Sequence, residues 1–295
     1  MPHDLRLGAR HALVAALAFA LTGVCVKAAS TGLPNEVVVF VRCAVALIAL
    51  LPWVWHRGVK TAIATRRWGG HLIRAGFGVC AMYCFFYAIA HLHLAEAMLL
   101  TYSTPLWVPF IAWAWIGERP PWLVFPAIVI GLVGIGFIVQ PGAQVVPPLA
   151  ALVGIASGLF AACAMVGIRR ISNTEPAPRI VFYFALLSTA ITAVPLAWAW
   201  VMPDLRGWVL LIAAGLLATV GQLNLTRAYA CAPAALIGPF TYVAVVFAAG
   251  FAWLIWGEAL NRWSFVGIAL VVLTCVLVGY AGRKPRVPLA APTEP

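Results

Sequence analysis

The chain has 295 residues, of which 64% are hydrophobic and 9% charged, with a mean hydropathy of +1.01. Soluble domains run nearer half apolar and about a quarter charged, so this composition excludes a water-soluble globule and points to a multi-spanning membrane protein. The formal charge of +11 is then a marker of topology and not of nucleic-acid binding, because no aromatic-basic surface motif accompanies it.

At the N-terminus, Arg6 and Arg10 precede an apolar run in the manner of a signal peptide. That run is long and carries Lys27 at its far end, so it is read as a first spanning helix. A helix needs about 20 apolar residues to cross a bilayer. Ten segments qualify, at roughly 11–29, 36–55, 72–91, 95–116, 121–140, 149–168, 180–201, 208–229, 233–256 and 263–282. Loop signals separate them: Gly32 to Asn35, His56 to Gly70, Arg119-Pro120-Pro121, Gln140-Pro141-Gly142, Ile171 to Pro178 and Pro203-Asp204. The tail from Arg283, residues 283–295, is proline-rich and basic at its start, the composition of a disordered cytoplasmic segment.

Charge orients these spans. With a cytoplasmic N-terminus, Lys27, Arg42, Arg206 and Arg262 fall on the outer side. The rest of the 19 Lys and Arg residues, Arg74, Arg119 and Arg169 among them, fall on or near the inner side, so both termini are expected in the cytoplasm. The seven cysteines lie in or at the ends of apolar stretches and read as small fillers, without the spacing of a metal or disulfide framework.

A short phrase occurs twice. Thr101-Tyr102, Ala112-Trp113 and Gly117-Glu118 return as Thr241-Tyr242, Ala252-Trp253 and Gly257-Glu258 at a constant offset. Such a duplication divides the chain into residues 1–142 and 143–282, each with five spans. An odd number of helices per repeat forces the halves to enter the membrane in opposite senses. The expected fold is therefore an all-α polytopic membrane protein, with ten transmembrane helices in two inverted five-helix repeats and a solute site between them.

With Phe40-Val41-Arg42, and Arg227-Ala228-Tyr229 leading to Ala232-Pro233-Ala234, the two Gly-Glu phrases make the chain resemble the EamA family of the drug/metabolite transporter superfamily. The likeness runs from about residue 10 to 282. It implies a carrier of small organic solutes and places the third and fourth spans around a central cavity. Tyr83 and Tyr87, one turn apart on the third span, and Tyr102 and Trp107 on the fourth are then candidate lining residues, with Tyr242 as the repeat mate of Tyr102. Each has ordinary aromatic packing as its alternative.

Arg42 sits inside the second span, where a charge usually faces a cavity or a partner. It is either an anchor for an anionic solute or a structural cation that snorkels or pairs with Glu36. Lys27, nearer its helix end, carries the same two readings. Gln222 and Asn224 in the eighth span bind solute or bond across helices, with Asn224 read as glue between helices. Pro105 and Pro109 interrupt the fourth span and Pro239 the ninth, as gates or static kinks. Glu118 and Glu258 read as caps or ion pairs at helix ends. Gly131/Gly134 and Gly154/Gly158 read as close helix contacts.

His91, His93 and Glu96 do not follow the spacing of a metal-ligand set, so no metal and no cofactor is expected. No Asp or Glu lies deep in a span to relay protons, so transport is facilitated, exchanging or coupled through another group. No nucleophile, base and ligand set converges as an enzyme requires. The expected protein is an inner-membrane carrier, monomer or homodimer, for a small organic metabolite such as an amino acid or organic anion, with export the preferred direction. Uptake of a vitamin or nucleoside-type metabolite is the alternative within transport, and a channel or non-transporting scaffold the alternative outside it.

Overall fold

Cap chemistry sets several of the helix boundaries. The computed structural model describes residues 4–29, 32–91, 100–139, 147–257 and 261–282. The Asp4 carboxylate accepts from the Leu7 N–H at 2.9 Å and starts α1 (Leu5–Ala29). Pro34 precedes α2 (Asn35–Arg57), and a short turn, Val59–Ile63, leads to α3 (Trp68–His91). Pro105 in its first turn opens α4 (Thr104–Ile116), which is followed by α5 (Val124–Val139). Pro148 begins α6 (Pro148–Ile171), and Pro176 precedes α7 (Ala177–Ala193). Asp204 accepts from Gly207 N at 2.7 Å to cap α8 (Leu205–Cys231). After α9 (Val243–Trp256), Asn261 caps α10 (Arg262–Ala281) by accepting from Trp263 N and Ser264 N at 2.9 and 3.0 Å.

The repeated phrase has a local cause. Gly117 and Gly257 both adopt the left-handed conformation, with φ of 70° and 67°. At each, the capping N–H bonds end on the Ala and Trp carbonyls of the phrase, Ala112 and Trp113 in one copy and Ala252 and Trp253 in the other. Glycine is required because a Cβ at this φ meets the following carbonyl. Gly117→Ala should therefore lower stability by about 1–2 kcal/mol, read as a fall in Tm in detergent.

Among the described residues, five single helices, α1, α2, α6, α8 and α10, and the composite stretch Ala234–Trp256 are long and apolar enough to cross a membrane, and three shorter apolar helices, α4, α5 and α7, accompany them. The expected ninth span is not one regular helix. A turn, Ala234–Ile237, passes into a 3₁₀ segment, Gly238–Tyr242, before α9 begins. Pro239 sits at the start of the 3₁₀ segment, where its missing N–H forgoes no helical bond. Pro105 likewise begins α4 instead of interrupting it, after a break at Tyr102-Ser103. The seventh expected span also divides: α7 ends at Ala193, and Leu196–Ala199 resumes beyond Pro195.

Packing relates the two halves. α1 packs on α8 as α6 packs on α3, and α4 packs on α6 as α9 packs on α1. α2 meets α7, and α5 meets α10. Exchanging α1–α5 with α6–α10 maps this set of pairings onto itself. Small residues permit the closest approaches. A Cβ on Gly134 of α5 would lie 2.8 Å from the Gly267 carbonyl of α10, and one on Gly158 of α6 would lie 2.5 Å from Ser103 Oγ. The two ends of the described chain also meet. Asp4 N donates to Cys231 O at 3.1 Å, and a Cβ on Gly282 would collide with Leu5 and approach Leu236. The start of α1 and the end of α10 thus lie at one end of the bundle.

Candidate functional site

Gly215 lets α8 press on α2. A Cβ there would fall 2.5 Å from Val45 Cβ and 3.2 Å from the Arg42 carbonyl. One turn along α8 from this contact, a small cavity opens where α2, α7 and α8 meet, lined by Arg42, Ala46, Phe184, Ala185, Thr219 and Gln222. Its volume is about 20 Å³, room for one water molecule. The structure thus brings together two of the sequence candidates, Arg42 and Gln222.

Arg42 is half-buried. Its Nη2 points at Met82 Sδ at 3.4 Å and Cys43 Sγ at 3.9 Å, both soft and weak acceptors. Glu36 does not pair with it. Gln222 Oε1 accepts from Arg74 Nη2 of α3 at 3.1 Å. Arg74 is 5% exposed, and its guanidinium lies 3.9 Å from the centroid of the Phe184 ring. Gly78 makes room for it, since a Cβ there would stand 2.5 Å from Arg74 Nη1.

Arg74 is therefore not the inner-surface charge that the charge census makes it: the side chain is buried among α3, α7 and α8. The signal lies in its position within the predicted span 72–91, which the census overrides. Ser188 and Thr189 on α7, Thr226 on α8 and both ring nitrogens of His71 on α3 are also buried polar atoms without a hydrogen-bond partner among the described residues.

The other candidates lie elsewhere. Tyr83 is 40% exposed, and Tyr87 stacks on His91 at 4.1 Å; neither lines this cavity. Tyr102 and Trp107 pack against the main apolar cluster, and Trp107 Nε1 donates to Ser103 Oγ at 3.4 Å. Tyr242 is wholly buried, its ring against Gly131 and its hydroxyl 3.4 Å from the Ile128 carbonyl, so in this structure it contributes packing. Lys27 Nζ lies 4.3 Å over the Trp256 ring and joins α1 to α9. Asn224 pairs with His11 Nδ1 at 2.8 Å, tying α8 to α1 as interhelical glue. His93, Glu96, Glu258 and the tail from Arg283 lie outside the described residues.

At the end of the bundle where Asp4 and Gly282 lie, charged networks cross between the halves. Glu118, just beyond α4, accepts from Arg169 Nε of α6 at 2.7 Å, and its second oxygen accepts from Ala234 N at 3.0 Å. Arg169 Nη1 also donates to the Tyr229 and Ala230 carbonyls, at 3.2 and 3.0 Å. Glu118 is thus both an ion-pair partner and a cap, and Arg169 is buried, not a surface charge. A second network joins Glu175 to Arg179 at 2.7 Å and to Thr65 Oγ1 at 2.6 Å. Arg179 continues to the Ala62 and Thr61 carbonyls, and the Tyr183 hydroxyl donates to the Ile63 carbonyl.

These features are those of a polytopic membrane protein whose two halves pack in matching pairs. The EamA-like transporter family matches residues 6–140 and 148–280, and the chain belongs to that family. It is 35% identical over 274 residues to the pseudopaline exporter CntI of Pseudomonas aeruginosa, covering 92% of this chain and 95% of that protein. It is 27% identical over 280 residues to a riboflavin transporter of Vibrio cholerae, covering 94% and 93%. A solved crystal structure superposes with a TM-score of 0.83 at 18% identity, over 94% of this chain and 97% of the other, a likeness of fold. The protein is thus a multi-pass, lipid-embedded transporter of small molecules and not an enzyme.

Proposed function

We propose that the protein is a secondary carrier working by alternating access, exporting a small organic metabolite, an amino acid or organic anion, across the inner membrane. Its ten spans form two inverted repeats, residues 1–142 and 143–282, with both termini cytoplasmic. The symmetric helix pairings and the matched glycine caps support the repeat, and the meeting of the chain's ends supports termini on one face. The observation that carries the proposal is the mainly apolar cavity to which Arg42 and Gln222 bring polar groups where α2 and α8, from opposite halves, meet. Water-sized in this structure, it must widen to admit a solute, as a site passing between two access states does. Export follows the more similar exporter relative. Uptake is the second reading, favoured by likeness to riboflavin transporters and to an S-adenosylmethionine uptake transporter of Rickettsia bellii, 23% identical over 258 residues.

Counterflow in proteoliposomes tests the proposal. A carrier gives saturable uptake accelerated by unlabelled solute on the far side; flux without counterflow would make it a channel. Arg42→Gln should reduce the preference for anionic over neutral solutes about tenfold, the worth of one charge-assisted hydrogen bond. An unchanged ratio would remove Arg42 from the site.

A further inference from the structure

We infer that Arg74 is the docking point for a carboxylate of the transported solute, and that Gln222 holds its place in the empty protein. The inference rests on the carrier reading above and names the solute class: organic acids, with diacids favoured because Arg42 lines the same cavity as Gln222.

A guanidinium this deeply buried needs compensation for lost hydration. Among the described residues Arg74 receives little: one neutral amide oxygen, Gln222 Oε1, and the face of Phe184. No carboxylate among the described residues pairs with Arg74 or Arg42. Which nitrogens are engaged matters. Nε and Nη2 form the edge of the guanidinium whose two parallel N–H groups grip a carboxylate in bidentate fashion. Nη2 is spent on Gln222, while Nε is buried with no acceptor among the described residues. The fork is half occupied by a neutral stand-in.

The surroundings suit an anion as well. Thr226 lies one helical turn from Gln222 on α8, and Ser188 one turn from Phe184 on α7; both hydroxyls are buried and unpartnered among the described residues. Bonds among residues of a finished structural core would leave few such groups. Orphaned hydroxyls on the two helices that carry Phe184 and Gln222, together with a half-used guanidinium, point to a polar ligand that completes the hydrogen bonding. The solute's carboxylate would take both Nε and Nη2, and Gln222 would rotate away to face the cavity.

The test uses the purified full-length protein in detergent and the diacids malonate, succinate, glutarate and adipate, with glutaramide as the uncharged control. At least one diacid should raise the Tm of the wild type in a saturable way, and glutaramide should not. Arg74→Lys, which keeps the charge but loses the fork, should weaken the apparent affinity roughly tenfold or more. Arg74→Met should abolish the response while leaving the unliganded Tm equal to or above wild type, because an uncompensated buried charge has been removed. The inference is overturned if no diacid stabilises the wild type. It is equally overturned if Arg74→Lys responds like wild type, or if Arg74→Met keeps the response while its unliganded Tm falls, the behaviour of a structural arginine. Counterflow separates the two readings: exchange insensitive to Arg74→Lys leaves the carrier standing without this site, whereas a stabilising diacid that never exchanges removes the carrier itself.

Discussion

Glu118→Ala is expected to destabilise the protein by about 3–5 kcal/mol, the range found when one partner of a buried ion pair is removed. The size follows from what is left behind. Arg169 is buried and would keep only the Tyr229 and Ala230 carbonyls, and Ala234 N would lose its acceptor. The Glu118–Arg169 pair joins four elements: the end of α4, α6, the turn that precedes α9 and, through Arg169, the end of α8. A fall in Tm in detergent checks the figure. Glu118→Gln keeps an acceptor for Ala234 N and should lose less, while Arg119→Ala, next door and exposed, should change stability by no more than about 0.5 kcal/mol. Since the network ties the halves together at one end, Glu118→Ala should also speed reaction of half-buried Cys231 with a membrane-impermeant maleimide. Unaltered labelling together with an unaltered Tm would show that the latch contributes nothing.

The second large effect is expected where α5 and α10 touch. Gly267→Val should cost at least about 3 kcal/mol, the upper range for overpacking, and deplete the folded protein from the membrane. A Cβ at Gly267 would meet the Gly134 carbonyl and lie 2.7 Å from Ile138 Cγ1 and 3.0 Å from Ile138 N. Backbone cannot step aside as a flexible side chain can, so the helices must separate. Two glycines on the same helices provide the control. A methyl group added at Gly136 on α5 or at Gly279 on α10 would meet nothing within 4 Å, so alanine there should be neutral or stabilise by about 0.5–1 kcal/mol through helix propensity. Equal losses at Gly267 and Gly136 would refute the packing explanation.

Individual residues show how far the sequence can be read. The Gly-Glu phrase is visible as a duplication, yet its reason is conformational: a left-handed glycine whose cap bonds end on the Ala and Trp carbonyls of the phrase. The small-residue pairs Gly131/Gly134 and Gly154/Gly158 are legible as contacts because a missing Cβ has few other uses in a spanning helix. The aromatic candidates are less legible. Tyr242 and its repeat mate Tyr102 have the same type and register, but a tyrosine serves a core as readily as a cavity; only the position of Gly131 against the Tyr242 ring distinguishes them. Arg74 escapes a reading of the sequence for a related reason. An arginine near the start of a span satisfies a charge-sidedness rule whether it snorkels to the surface or turns inward, and the turn inward depends on Phe184 and Gln222, far away in the chain.

Composition and periodicity by themselves determined that this chain lives in a bilayer, that it is helical and that it is built twice, because hydrocarbon demands apolar length and internally satisfied backbone at every span. Which buried charges meet a carboxylate and which meet only a neutral amide was decided only by tertiary structure. Glu118 finds Arg169 across 51 positions of chain, and Arg74 finds Gln222 across 148, and such meetings depend on how helices pack, a property no local stretch of sequence contains.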